Sequence, residues 1–177
     1  MRIRPATALD ADRIAQLWEG AWRDGHVGHV PDELLVYRQS DSFERRTAAM
    51  IERTHVAEVD GAIVGFVTLK GDEVDQLMVD SSARGTGVAP ALLSEGARRI
   101  VEAGHPQPWL AVVTGNARAR HFYEREGWRD SGHLDYEAPI EGGTVIVSCR
   151  RYELIVPPVT ADTRDAGSVA GSRSTTR

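Results

Sequence analysis

Val79-Asp80-Ser81-Ser82-Ala83-Arg84-Gly85-Thr86-Gly87-Val88-Ala89 joins an apolar strand pattern to an amphipathic helix pattern through a glycine-rich turn. Before it, Glu73 to Val79 alternates as a strand. After it, Val88, Leu92, Leu93, Ala97, Ile100 and Val101 fall on one helical face. Gly85 and Gly87 permit positive φ and close backbone approach, so several consecutive N–H groups can point at one anion while the helix supplies the positive end of its dipole. The turn reads as a phosphate cradle.

Two familiar phosphate loops are excluded by spacing. A dinucleotide fingerprint wants a third glycine where this chain has Pro90, and an acidic residue about 20 positions on, where it has His105. A nucleoside-triphosphate loop ends in Gly-Lys-Ser/Thr, and the only lysine of the chain is Lys70. Pro90 is compatible with a helix start, because a first-turn residue needs no backward N–H bond.

Working outward, Ile3-Arg4-Pro5 reads as a short first strand. Thr7 or Asp10 is a candidate cap for a helix through Ile14, Leu17, Trp18, Ala21 and Trp22, with Trp18 and Trp22 sharing a face. Gly25 to Pro31 reads as a break, with a short segment from Asp32 and a further helix over 42–53. Strands over 55–59 and 62–69 meet at Asp60-Gly61, a hairpin signal. Then come strand 73–79, helix 87–103, strand 109–113, helix 117–126 and strands around 128–136 and 144–154. Hairpins flank a strand-helix-strand crossover, which makes a mixed α/β (α+β) fold.

Residues 1–155 are therefore expected to form one domain. From Val156 onward Pro157-Pro158 ends the last strand, and the remaining residues carry almost no large apolar side chains. Such a segment buries too little surface to offset its ordering entropy, so a disordered tail is expected over 156–177.

With 177 residues the chain is long enough for a real core. A formal net charge of −5 without a basic stripe argues against a nucleic-acid partner and favours amine-bearing ones. The single Cys149 excludes an internal disulfide and a multi-cysteine metal site, as expected of a reducing cytoplasm. No apolar run approaches the roughly 18 residues of a membrane span, and no signal sequence precedes the first strand pattern. A soluble, cytoplasmic protein is the expectation.

Arg84-x-x-Gly87-x-Ala89 resembles the Arg/Gln-x-x-Gly-x-Gly/Ala pyrophosphate loop of the GCN5-related N-acetyltransferase (GNAT) family. Asn116-Ala117-Arg118-Ala119-Arg120-His121-Phe122-Tyr123-Glu124-Arg125-Glu126-Gly127-Trp128 resembles that family's Asn-x-x-Ala-x-x-Phe-Tyr-x-x-x-Gly-Phe signature, with Trp128 in place of phenylalanine. The resemblance covers about positions 1–155. It implies a mostly antiparallel sheet of about seven strands flanked by helices, with two central strands splayed into a cofactor cleft. It also implies acetyl-CoA as acyl donor, an amine-bearing acceptor, and a frequent homodimer.

Residue by residue, the resemblance places pantetheine against the backbone of Leu77, Met78 and Val79. The pyrophosphate falls to the amides of Gly85, Thr86, Gly87, Val88 and Ala89, with Arg84 folding over it. Tyr123 is the candidate that protonates or hydrogen-bonds the leaving thiolate. Reference pKa values of about 10 for a phenol and 8.5 for a thiol make hydrogen bonding its minimum role. Packing beside Phe122 is the alternative. Asn116 either caps its helix or also bonds the cofactor's amide.

An aliphatic ammonium of pKa about 10 needs a base before it attacks. Glu73 sits where several relatives carry that carboxylate and alternates onto one face with Asp75. Solvated strand-start charges are the competing reading. His26 and His29 are rival bases in the loop after the first helix, and His26-x-x-His29 lacks a third ligand for a metal. Cys149 reads as a buried small apolar residue. The expected function is an acyl-CoA-dependent N-acetyltransferase acting by direct amine attack, and the alternative is a non-catalytic acyl-CoA-binding or sensing module.

Overall fold

The computed structural model describes residues 1–155, so the expectation for 156–177 lies outside the described residues. One seven-stranded sheet runs in the order β1-β2-β3-β4-β5-β7-β6. Its strands are β1 (Arg2–Pro5), β2 (Thr54–Val59), β3 (Ala62–Lys70), β4 (Glu73–Val79), β5 (Trp109–Val113), β6 (Trp128–Ile140) and β7 (Gly143–Leu154). All neighbours are antiparallel except β4 and β5. The mixed α/β fold and its mostly antiparallel sheet are as the sequence indicated.

Helices α1 (Ala11–His26), α2 (Asp32–Val36) and α3 (Ser40–Met50) precede β2, whereas α4 (Val88–Glu102) and α5 (Ala117–Arg125) follow β4 and β5. Two apolar clusters result. One gathers Trp18, Trp22 and Phe43 from α1 and α3 with Phe66, Val147 and Cys149 from the sheet. The other gathers Leu92, Leu93 and Ile100 of α4 with Val67, Val74, Leu110 and Tyr152. Trp18 and Phe66 are fully buried and meet edge to face at 5.9 Å. Each large side chain buried this way contributes roughly 1.5–3 kcal/mol relative to exposure.

The Asp60-Gly61 hairpin forms as read, both residues at positive φ (50° and 79°), as a two-residue turn of matching twist requires. Several boundaries move. Helix α1 does not break at Gly25 but continues to His26, and Gly25 is buried where a Cβ would stand 3.1 Å from Asn116 Nδ2. Asp10 occupies the N-cap position of α1, yet its carboxylate turns back to the Thr7 amide and hydroxyl (2.8 and 2.9 Å) and to Arg4 (2.8 Å). Strand β6 runs to Ile140 rather than to 136, and tolerates Pro139 because it is an edge strand.

The two parallel strands matter most. Among the described residues β4 and β5 pair at one register position, Glu73 with Trp109. Beyond it each strand has only its outer neighbour, and the sheet opens into a cleft. An irregularity sits at this end of the β3–β4 ladder, where Thr68 pairs with Gln76 and Leu69 with Val74. Asp75 is the extra residue, and such a bulge bends a strand.

Candidate functional site

A cavity of about 950 Å³ occupies the cleft and reaches both faces of the sheet. On the α4–α5 side it is lined by Leu77, Val79, Arg84, Gly85, Gly87, Ala89, Asn116 and Tyr123. On the α1–α3 side it meets His26, Arg38, Arg46, Glu73, Asp75 and Tyr136. The volume suits a ligand of several hundred daltons.

The glycine turn is held from below. Asp80 accepts from the Ser82 amide at 3.0 Å and from Arg13 Nη2 at 2.7 Å, while Arg13 also donates to Ile63 O at 3.1 Å. Gly85 (φ 77°) and Gly87 (φ 87°) take the left-handed conformation, and a Cβ at either meets no atom within 4 Å. Gly87 is the N-cap of α4, so the amides that follow it start a helix with no partner inside it. An anion placed there is favoured by those amides and the helix dipole.

Not every residue of the turn faces the cavity. The Thr86 amide and hydroxyl both bond Ala83 O, at 3.4 and 2.7 Å, so Thr86 braces the turn. Val88 buries its side chain at the base of α4, next to Gly65. Arg84 pairs with Asp24 of α1 at 2.6 Å and so bridges the mouth of the cleft. On β4, Leu77 and Val79 lean into the α4 cluster, Met78 into the α1 cluster, and all three line the cavity.

Tyr123 projects from α5 into the cavity. Its ring meets Phe122, Tyr152 and Trp128 at 5.1, 6.0 and 6.4 Å, so the residue packs in an aromatic cluster and lines the cavity at the same time. Burial holds its phenol well above the usual value, which keeps it a proton donor. The neighbouring Tyr152 hydroxyl is committed elsewhere, donating to Glu124 at 2.8 Å and accepting from Arg120 at 3.3 Å. Asn116 caps α5 through Oδ1, which accepts from the Ala119 amide at 3.1 Å, and also lines the cavity.

Glu73 is not a solvated strand-start charge. It is 5% exposed, and burial, reinforced by Asp75, raises its pKa to about 7; Lys70 and the Tyr136 hydroxyl act in the opposite sense. Asp75 shares the cavity and stands 3.9 Å from Arg53. His26 is the last residue of α1, not a loop residue. It stacks on Trp22 at 4.7 Å, its Nδ1 lies 2.9 Å from Trp22 O, and burial lowers its pKa to about 4. Such an imidazole is neutral at physiological pH but too weak a base to hold a proton there. His29 is exposed and packs over Gly115. Cys149 is buried in the apolar cluster, its thiol pushed up to about 12.

Tyr136, Arg38 and Arg46 were not singled out from sequence. Tyr136 was legible, because the alternation Leu134, Tyr136, Ala138, Ile140 marks the inward face of β6. The two arginines were not, since one lies in the loop between α2 and α3 and the other within α3, and only the fold brings them to one cavity. Among the described residues no cluster of three or more His, Cys, Asp or Glu has the arrangement of a metal site. No helix there is long and apolar enough to cross a membrane.

Comparison with solved structures agrees on the fold. A GCN5-related N-acetyltransferase from Rhodopseudomonas palustris superposes with a TM-score of 0.69 at 19% identity, over 88% of this chain and 95% of that one. An N-acetyltransferase from Thermoplasma acidophilum, solved in complex with coenzyme A, gives 0.63 at 15% identity, over 86% and 97%. In sequence, an uncharacterized N-acetyltransferase from Mycobacterium tuberculosis is 35% identical over 81 residues, 43% of this chain and 52% of the relative. The mycothiol acetyltransferase of Clavibacter sepedonicus is 36% identical over 78 residues, 42% of this chain and 26% of the relative. The chain thus spans about half the length, or less, of these curated relatives. The Acetyltransferase (GNAT) family model matches residues 12–128. The splayed strands, the glycine turn and the Asn116 to Trp128 block all fall within that match or frame it, and the chain belongs to the GNAT acetyltransferase family.

Proposed function

We propose that the protein transfers an acetyl group from acetyl-CoA to a primary amine by direct attack on the thioester, with Glu73 as general base and Tyr123 as the group that receives the leaving sulfur. The observation that carries this reading is the pairing of two opposite proton habits in one cavity. Glu73 is shifted to about 7, where a base works best at neutral pH, and Tyr123 is shifted upward, where it stays protonated.

The two groups approach from opposite faces of the sheet. Acetyl-CoA would lie on the α4–α5 side, its pyrophosphate at Gly85, Gly87, Val88 and Ala89 with Arg84 beside it, and its pantetheine along Leu77, Met78 and Val79. Asn116 lies at hand for a pantetheine amide, and Thr86 serves by bracing the turn. The acceptor amine would enter on the α1–α3 side, where Glu73 removes its proton directly or through water. Once neutral, the nitrogen attacks the carbonyl carbon, the C–S bond breaks, and Tyr123 donates a hydrogen bond to the departing thiolate. No enzyme nucleophile is required, and Cys149, protonated far above neutral pH, offers none.

The test is release of free CoA from acetyl-CoA in the presence of a panel of primary amines, with saturable acetyl-CoA binding measured alongside. CoA release that depends on an amine and fails in Glu73→Gln supports the reading. Saturable binding without release for any amine would replace it with an acyl-CoA-binding module.

A further inference from the structure

The α1–α3 side of the cavity holds more positive charge than acetyl transfer to a simple amine uses. Arg38 is only 4% exposed and donates Nη2 to Pro139 O at 2.8 Å. That engages one of the five N–H groups a guanidinium carries. Arg46 lays its guanidinium over the Trp18 ring at 4.2 Å, and its Nη1 is buried without a hydrogen-bond partner. Both side chains line the cavity. Among the described residues neither forms an ion pair with a carboxylate; Asp75, whose charge reaches Arg46, stands 3.9 Å from Arg53.

A buried guanidinium and a half-buried one near each other are unfavourable. Burial and the charge of Arg38 together lower the pKa of Arg46 to about 10, so Arg46 stays charged at neutral pH and the two guanidiniums repel. A buried cation with an unmade hydrogen bond is costly, and the cost is removed by an anion that both can reach. A planar fork of N–H donors suits a carboxylate in particular. Glu73 and Asp75 line the same chamber. Tyr136 is within electrostatic reach of all four groups. The chamber therefore carries charges of both signs.

We propose that the acceptor is an amino carboxylate, its carboxylate held by Arg38 and Arg46 and its amine presented to Glu73. The assignment rests on the N-acetyltransferase reading above. A plain amine brings neither guanidinium an ion-pair partner, and a phosphate dianion brings excess negative charge towards Glu73 and Asp75. The step balances without a further reactant. The ammonium gives one proton to Glu73, the freed amine nitrogen bonds the acetyl carbon, the C–S bond breaks with its electron pair going to sulfur, and the second proton shed by the nitrogen as the amide forms goes to that sulfur. The products are an N-acetyl amino carboxylate and CoA.

The experiment follows CoA release with the common amino acids, each beside its carboxamide, and with di- and tripeptides. It uses the full-length protein, Arg46→Met and Arg46→Lys. At least one amino carboxylate should exceed its carboxamide by about ten-fold or more in kcat/KM. Arg46→Met should erase that preference through KM, and Arg46→Lys should restore part of it. Peptides preferred over free amino acids would place the recognised carboxylate at a peptide terminus or side chain. Carboxamides used as well as the acids, or an Arg46→Met that weakens both alike, would overturn the proposal. Should Arg46→Met fail to fold, the wild-type comparison of acids with amides decides alone. If nothing releases CoA, the melting temperature with CoA and N-acetyl amino acids decides. A rise with the acids but not their amides keeps the acceptor assignment and removes the catalytic one, and no difference removes both.

Discussion

Glu73 of β4 and Trp109 of β5 are register partners, the one described position at which these parallel strands pair. The joint is locked from both sides. The Trp109 amide donates to Asp72 O at 3.1 Å, its indole Nε1 donates to Asp72 Oδ1 at 3.0 Å, and Arg151 lies over its ring at 4.0 Å. The carboxyl at the apex of the cleft is thus fixed by the same pairing that ends the sheet's continuity. Its burial and its shift to about 7 follow from that position.

Glu73→Gln keeps the side chain's shape and removes the proposed base. Turnover should fall by about 10²-fold or more, the range for a positioned general base, with acetyl-CoA affinity unchanged. Calorimetric titration beside a CoA-release assay separates the two, and turnover within two-fold of wild type (about 0.4 kcal/mol) would assign the base elsewhere.

The same residue fixes the sign of two pH effects. The proposed base acts in its ionised form, so kcat/KM should rise as pH increases through about 7. Stability runs the other way. The folded pKa lies above the unfolded value of 4.5, so the folded state binds the proton more tightly, and this stabilisation, complete below pH 4.5, is lost as pH rises through about 7. Glu73→Gln should accordingly melt higher than wild type at pH 8 and no higher at pH 4.5. A parallel offset at both values would show that burial of this charge is not what sets its pKa.

Tyr123→Phe deletes one hydroxyl from an aromatic cluster that includes Phe122, Trp128 and Tyr152. Turnover should drop ten-fold or more, towards the lower end of the roughly 10²–10⁴ range for a positioned acid, with the melting temperature nearly preserved. Full activity in this variant would reduce Tyr123 to packing.

The strand and helix pattern was readable because alternation and helical spacing are local. So were the Asp60-Gly61 turn and the turn at Gly85 and Gly87, two positions whose φ values glycine adopts at ease. What was not readable depended on distant partners. Gly25 looked like a helix breaker, yet it serves α1 by leaving room for Asn116, more than ninety positions along the chain. Whether Glu73 was solvated or buried depended on the fold around it, which also brings Tyr136 to its side from a strand two places across the sheet from β5. Arg38 and Arg46 carry no sequence mark at all, since a buried arginine and a surface arginine have the same letter.

The cradle makes its own prediction, in two variants that separate strain from obstruction. A Cβ at Gly87 meets no protein atom, so any loss in Gly87→Val arises from its φ of 87° and from the space a phosphate would fill. Valine at positive φ costs roughly 1–3 kcal/mol, whereas asparagine tolerates that region. Gly87→Val should lose both stability and acetyl-CoA affinity. Gly87→Asn should keep its melting temperature and still lose affinity, read by calorimetry, and undiminished binding in Gly87→Asn would mean that the anion does not approach this turn.

Gly65 couples the core to that cradle. A Cβ there would stand 2.9 Å from Leu92 Cδ1, 3.0 Å from Met78 O and 3.1 Å from Val88 Cγ1, so it touches the first turns of α4 and the cofactor-side strand together. Backbone at Met78 O cannot rotate aside as a side chain can. Gly65→Ala must therefore push α4 off β3 and β4, an overpacking cost of about 1–3 kcal/mol. Because Val88 opens α4 directly after Gly87, the displacement carries the turn with it. The expected outcome is a lowered melting temperature with weaker acetyl-CoA binding, while Gly61→Asn, a hairpin substitution with open space around it, leaves binding intact. A Gly65→Ala protein that melts lower yet binds acetyl-CoA as wild type would show that the cradle is held by Asp80 and Arg13 rather than by the seat of α4.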